Sequence, residues 1–179
     1  MKFALMFANP AFPDAQGAGR LGRLAEAAGF DSLITVEHVI WPNEYSSRYP
    51  YAASGKAPGN PSTLLPDPLI WMAWVAALTT RLRFMTGVVI LPQRNPLVLA
   101  KEVATLDYMS GGRIELGIGV GWLKEEFEAL GVPFERRGKR ADHLRVGAGA
   151  GGHLALDRGL RVGVVDLDVP VVHRDRDED

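Results

Sequence analysis

RFMTGVVILPQRNPLVLAKEVATLDYMSGGRIELGIGVGWLKEEFEALG, from Arg83 to Gly131, is the stretch from which the fold can be read. An apolar run from Phe84 to Leu91 breaks at Pro92. A helix is predicted to begin at Asn95 and Pro96, because an asparagine oxygen can take an unpaired first-turn N–H and proline lacks the N–H that would go unpaired there. Leu99, Val103 and Leu106 recur at helical spacing, and Ser110-Gly111-Gly112 stops the helix. A second apolar run, Ile114 to Ile118, ends among glycines. The order is strand, loop, helix, strand, loop, helix, which predicts an α/β fold with parallel strands. Such folds place chemistry in the loops beyond the carboxyl ends of the strands, here Val88 to Asn95 and Gly119 to Leu123.

Working outward, Lys2 to Phe7 reads as a first strand, followed by turn signals at Asn9-Pro10 and Pro13-Asp14. Gln16 to Ala28 carries a stripe of Leu21, Leu24, Ala25 and Ala28, and Gly29 is placed to end that helix with positive φ. Phe30 to Val36 is the second strand. Glu37, His38 and Trp41 follow it directly, at the end where a parallel barrel does its chemistry. Val39 to Pro66 has no period and is rich in Pro, Gly, Ser and Asn, but Trp41, Tyr45, Tyr49 and Tyr51 argue against plain disorder; a lid over the site is expected. Asp67 and Pro68 start the next helix. Beyond Gly138 the character changes: no Phe, Trp or Tyr occurs after Phe134, and the segment from Leu144 uses Arg without Lys. Arg161 to Val172 reads as an edge strand or as no strand, since Asp166 and Asp168 interrupt it and Pro170 cannot donate to a ladder.

With 179 residues and 47% hydrophobic content the chain is expected to be one soluble globular domain, and its formal charge of -1 gives no general attraction to nucleic acid or anionic membrane. It has no cysteine, which removes thiolate ligands, thiol nucleophiles and disulfides and suits the cytoplasm. No run approaches the ~20 apolar residues of a spanning helix. His143, His153 and His173 show no ligand spacing, so no metal is expected. Gly117, Gly119 and Gly121 do not make a dinucleotide fingerprint, because its third glycine would fall at Trp122.

The pieces TGVVILPQRNPLVLAKEVATLDYMSGGRIELGIGVGW and EEFEALGVPFERRGKRADH, with VEHVIWP upstream, resemble the luciferase-like monooxygenase superfamily, and within it the oxidoreductases that use the deazaflavin coenzyme F-420. The resemblance covers residues 1–143. It implies a TIM (β/α)8 barrel, of which this chain carries the first four to five βα units, with the ring of the coenzyme lying across the strand ends. Residues 144–179 form an atypical tail. Its Gly, Ala, Val, Arg and Asp bias resembles a frame-shifted reading of a GC-rich gene, or a disordered segment.

Several site residues follow from that resemblance. His38 matches the histidine that acts as base or hydrogen-bond donor at the substrate oxygen, a role suited to imidazole; read alone, it could simply bond a backbone carbonyl. Glu37 either orients His38 or is solvated, and Trp41 and Trp122 wall the substrate pocket. Trp122 stands where sugar-phosphate and alcohol dehydrogenases of the superfamily carry a glutamate acid. Thr86, Gly87 and Val88 match the place where several deazaflavin enzymes hold a non-prolyl cis peptide behind the ring. Gly119, Val120 and Gly121 would let the cofactor approach the strand end, and Asn95 and Arg94 could touch it from the neighbouring loop. Glu125, Glu126 and Glu128 read as carboxylates that offset a helix dipole.

The function so implied is deazaflavin-dependent hydride transfer to or from a small organic substrate. An FMN-dependent monooxygenase using molecular oxygen is the alternative, and a non-catalytic half-barrel that pairs with another copy or chain is the third. A chain carrying only the early strands is expected to associate with itself and to bind deazaflavin or flavin weakly.

Overall fold

The structure is a computed structural model, and it describes residues 1–142 together with the backbone of 161–164. Its parallel sheet contains β1 (Ala4–Leu5), β2 (Ser32–Thr35), β3 (Arg83–Thr86), β4 (Val89–Ile90), β5 (Ile114–Gly119) and β6 (Arg161–Val164). The order is β1-β2-β3-β5-β4, with β6 also paired to β5. β3 and β4 are one predicted strand divided at the Gly87–Val88 peptide, which is cis. β3 pairs with the start of β5 and β4 with its end. Between those pairings the Thr86 hydroxyl does the ladder's work, donating to the Gly117 carbonyl at 2.7 Å and accepting from its N–H at 2.9 Å.

Helices α1 (Ala8–Ala11), α2 (Ala15–Ala27), α3 (Pro68–Ala76), α4 (Pro96–Ser110) and α5 (Lys124–Ala129) alternate with the strands. Asp67 and Asn95 cap α3 and α4 through their side-chain oxygens, each with proline at the first position as expected. Gly111 ends α4 in the left-handed region at φ 75°. One face of the sheet carries Leu33, Phe84 and Ile114 at matched register, and it packs on Met72 and Val75 of α3 and Val103 of α4. Complete burial of a side chain such as Phe84 contributes on the order of 2–3 kcal/mol. The opposite face, with Met6, Ile34 and Met85, is only partly covered. That face would line the interior of a closed barrel.

Two expectations need correction. The buried stripe of α2 is Ala18, Gly19, Gly22 and Ala25, whereas Leu24 is exposed. The reason is close approach to α3: a Cβ on Gly22 would lie 2.4 Å from Val75 Cγ1, so only the smallest side chains fit. The turn assigned to Asn9-Pro10 contains the short helix α1, with Asn9 wholly buried. Arg161–Val164 forms an edge strand, the first of the two expected alternatives, in parallel register with Glu115 to Ile118. The interrupting Asp166, Asp168 and Pro170, and the frame-shift reading of residues 144–179 apart from that strand, fall outside the described residues.

Candidate active site

The loops at the carboxyl ends of β2, β4 and β5 are drawn together by polar side chains, among them Asn9, Glu37, Arg94 and Glu126. Asn9 closes the first junction: its amide donates to the carbonyls of Val36 at 2.8 Å and Pro66 at 3.0 Å, and its oxygen accepts from Val36 N–H at 2.9 Å. Glu37 then points into the protein. Its carboxylate accepts from Ile90 N–H at 2.5 Å, from Arg94 Nε at 2.9 Å and from a second Arg94 nitrogen. Arg94 also donates to Asp67 at 2.7 Å, so the ends of β2 and β4 and the start of α3 share one ionic network. Burial pushes the Glu37 carboxyl up, and the Arg94 guanidinium pulls it back only in part.

His38, the next residue, faces the other way. Its Nδ1 lies 3.0 Å from Glu126 Oε2, with the imidazole side chain 13% exposed and the carboxylate side chain 0%. The other oxygen of Glu126 accepts from Val39 N–H at 2.6 Å and, more weakly, from Ile40 N–H at 3.4 Å. Two backbone N–H groups thus converge on Oε1, while Oε2 faces the imidazole. Among the described residues Nε2 has no partner. Trp41 meets the imidazole edge-on at a centroid distance of 4.8 Å and Trp122 at 5.8 Å, while Tyr45 and Tyr49 pack on Trp122 at 5.7 and 5.2 Å. The result is a histidine enclosed by aromatic faces, with one nitrogen fixed and the other available.

The segment expected to be a lid forms no regular helix or strand and is tied to α5. Glu125 accepts from Ser46 N–H at 2.7 Å, Ser46 Oγ at 3.0 Å and Ser47 N–H at 3.1 Å, and Ser47 Oγ accepts from Lys124 N–H at 3.0 Å. Burial alone would raise the Glu125 carboxyl; the Ser46 and Ser47 donors outweigh it and bring it down to about 2.

Several residues assigned from sequence take other roles. Glu126 does more than offset a helix dipole: it is a buried hub of the site. Its partner lies 88 positions away, so no local spacing could reveal it. Glu37 neither orients His38 nor meets solvent, because it is buried with Arg94. Thr86 is fully buried on Gly117, which leaves it no surface for a cofactor. Asn95 uses its oxygen as the cap of α4. A Cβ on Gly119 would strike Val88 Cγ2 at 2.6 Å, and one on Gly121, at φ 79°, would strike Phe127 and Ile90 at 2.7 and 2.8 Å. Both glycines are therefore required by packing within the protein. Val88 and Val120 keep surface exposed beside the cis peptide. Asn9 was missed altogether, since buried asparagine leaves no periodic signal.

Among the described residues no three His, Asp or Glu side chains cluster as a metal site, and no helix is long and apolar enough to cross a membrane. A family model described as luciferase-like monooxygenase matches residues 1–144. An uncharacterized protein of Mycobacterium tuberculosis is 38% identical over 143 residues, covering 80% of this chain and 46% of that protein, so the chain spans about half the length of such relatives. The crystal structure of the monooxygenase RslO1 from Streptomyces bottropensis superposes with a TM-score of 0.62 at 32% identity, covering 83% of this chain and 42% of that one. The coenzyme F-420-dependent tetrahydromethanopterin reductase of Methanopyrus kandleri shares the fold at a TM-score of 0.50 and 22% identity, covering 75% of this chain and 30% of that one.

Proposed function

The chain belongs to the luciferase-like monooxygenase family, and from that premise we propose that it carries the proton-handling half of a deazaflavin-dependent oxidoreductase acting on a small organic substrate. The observation that carries this reading is the His38–Glu126 pair, with Nδ1 held at 3.0 Å and Trp41 and Trp122 packed edge-on against the ring. When bound, the deazaflavin would supply a carbon that accepts or donates a hydride. Whether the residues fit such a group can be judged from the strand ends. Val88, Val120 and the cis Gly87–Val88 peptide offer an apolar, partly exposed floor that suits a flat ring, and Arg94, engaged by Glu37 and Asp67, is not available to a phosphate.

In the oxidative direction His38 Nε2 takes the proton of a substrate hydroxyl as the hydride leaves the adjacent carbon. The charge that then forms on the imidazole faces Glu126, which favours it. Trp41 and Trp122 flank the ring with apolar surface. In the reductive direction Nε2 returns the proton to the carbonyl oxygen. Absence of cysteine is in keeping with work in the cytoplasm.

A second reading, an FMN-dependent monooxygenase that inserts one atom of molecular oxygen, is favoured by the 32% identity to a monooxygenase. Titration separates the two in this chain and in a full-length relative. Change in deazaflavin absorbance on binding, with no oxygen atom transferred to an organic product when reduced FMN and oxygen are supplied, supports hydride transfer. Incorporation of labelled molecular oxygen into an organic product with reduced FMN overturns it in favour of oxygenation.

A further inference from the structure

We infer that Glu126 is the positioning residue of His38 and that it sets the imidazole tautomer and the root of the lid through one shared carboxylate. The inference rests on the reading of His38 as the proton-handling group and adds what makes that histidine a base. A neutral imidazole carries its proton on one nitrogen only, and the partner of the other decides which. Here Oε2 accepts from Nδ1 at 3.0 Å, which leaves Nε2 bare and able to receive a proton. Oε1 meanwhile accepts from Val39 N–H at 2.6 Å, one residue beyond His38, so backbone and ring are fixed by the same rigid group. The carboxylate is wholly buried, and water cannot substitute for it. Trp41 and Trp122 close on the ring edge-on and add apolar contact without a polar partner.

The arrangement predicts an unusual behaviour for the isosteric variant Glu126→Gln. A glutamine has one acceptor oxygen and one NH2 group where the carboxylate had two acceptors. Two backbone N–H groups converge on Oε1 and cannot become acceptors, so the amide oxygen must stay with Val39 and Ile40. The NH2 then faces Nδ1, which can accept only if the ring proton moves to Nε2. Glu126→Gln should therefore invert the tautomer and leave the lid root in place. Glu126→Ala should free both.

Long-range proton–nitrogen correlations on histidine-labelled chain, with the His38 signal identified by its loss in His38→Ala, read the tautomer of the neutral ring. Amide exchange reads the lid root. The expected results are Nδ1–H in the native chain, Nε2–H in Glu126→Gln with Val39 exchange little changed, and Val39 exchange faster by about tenfold or more in Glu126→Ala. Ser46 and Ser47, held by Glu125, should not change in either variant. Persistence of Nδ1–H in Glu126→Gln overturns the tautomer assignment, and Val39 exchange rising as much there as in Glu126→Ala overturns the shared carboxylate. Should Glu126→Ala not fold, Glu126→Gln alone decides, because the loss of Val39 protection there counts against the arrangement. Both readouts are independent of turnover: an unchanged rate in His38→Ala would remove His38 from the chemistry and leave this assignment standing.

Discussion

Glu26 and Glu126 lie toward opposite ends of the sheet and use the same device, one carboxylate gathering several consecutive donors. At the amino end Glu26 takes the N–H groups of Thr80, Arg81 and Leu82 at 2.8 to 2.9 Å and the Thr80 hydroxyl at 3.1 Å, joining α2 to the approach of β3. The donated bonds, Arg81 foremost, hold its carboxyl down to about 2. At the carboxyl end Glu126 takes Val39 and Ile40, but its remaining donor is the His38 ring. Amides and a hydroxyl have no second protonation state in reach, so the Glu26 clamp can only hold. An imidazole does, so the same clamp at the other end also selects where a proton can land. On the proposed reading, exchange of a single donor turns a structural motif into a chemical one.

The sharpest way to break that contrast is to measure turnover in a full-length barrel carrying these residues. His38→Ala should lower it roughly 100-fold or more with cofactor affinity nearly intact, the usual contribution of a positioned acid-base group, while Glu26→Ala should change it less than about twofold. Equal losses would make the two clamps alike. Packing provides a second comparison. Gly121→Ala should cost about 3 kcal/mol in a urea melt, since its φ of 79° disfavours a side chain and the new methyl would strike Phe127 and Ile90. Gly29→Ala, at φ 81° but with nothing within 4 Å of the new atom, should cost only about 1 kcal/mol. The smallest effect concerns acid. A carboxyl lowered from 4.5 to about 2 stabilises the fold above the higher value and loses that contribution as pH falls through the lower one. Glu26→Gln should thus flatten the acid limb of the unfolding midpoint between pH 4.5 and 2, by less than about 1 kcal/mol because the group is screened by solvent.

What could be read from the chain alone follows the range of the interaction. Asp67-Pro68 and Asn95-Pro96 were readable as helix starts because a cap and its donors lie within three residues. The α2 stripe was misread because hydrophobicity favours Leu24, while the contact with α3 demanded glycine at position 22. His38 was found through its place after β2 and a family resemblance. Glu126 was visible only as one of three nearby carboxylates, and nothing local distinguishes the one that folds onto a residue 88 positions earlier. The glycine run was noticed for the right reason, close approach, but the approaching atoms belong to Val88, Phe127 and Ile90.

Asn9 has a further consequence for how this loop can vary. One side chain holds Val36 and Pro66 together, so the loop between them leaves and returns to the sheet through a single neck. Beyond Ser47, where its bonds to α5 end, the segment is free to change length. Its closure entropy grows only with the logarithm of its length, about 0.6 kcal/mol for each doubling. Length changes in residues 52–65, clear of the bonds made by Glu37, His38, Val39, Ser46 and Ser47, can therefore be taken up at the neck while β1, β2 and α3 keep their register.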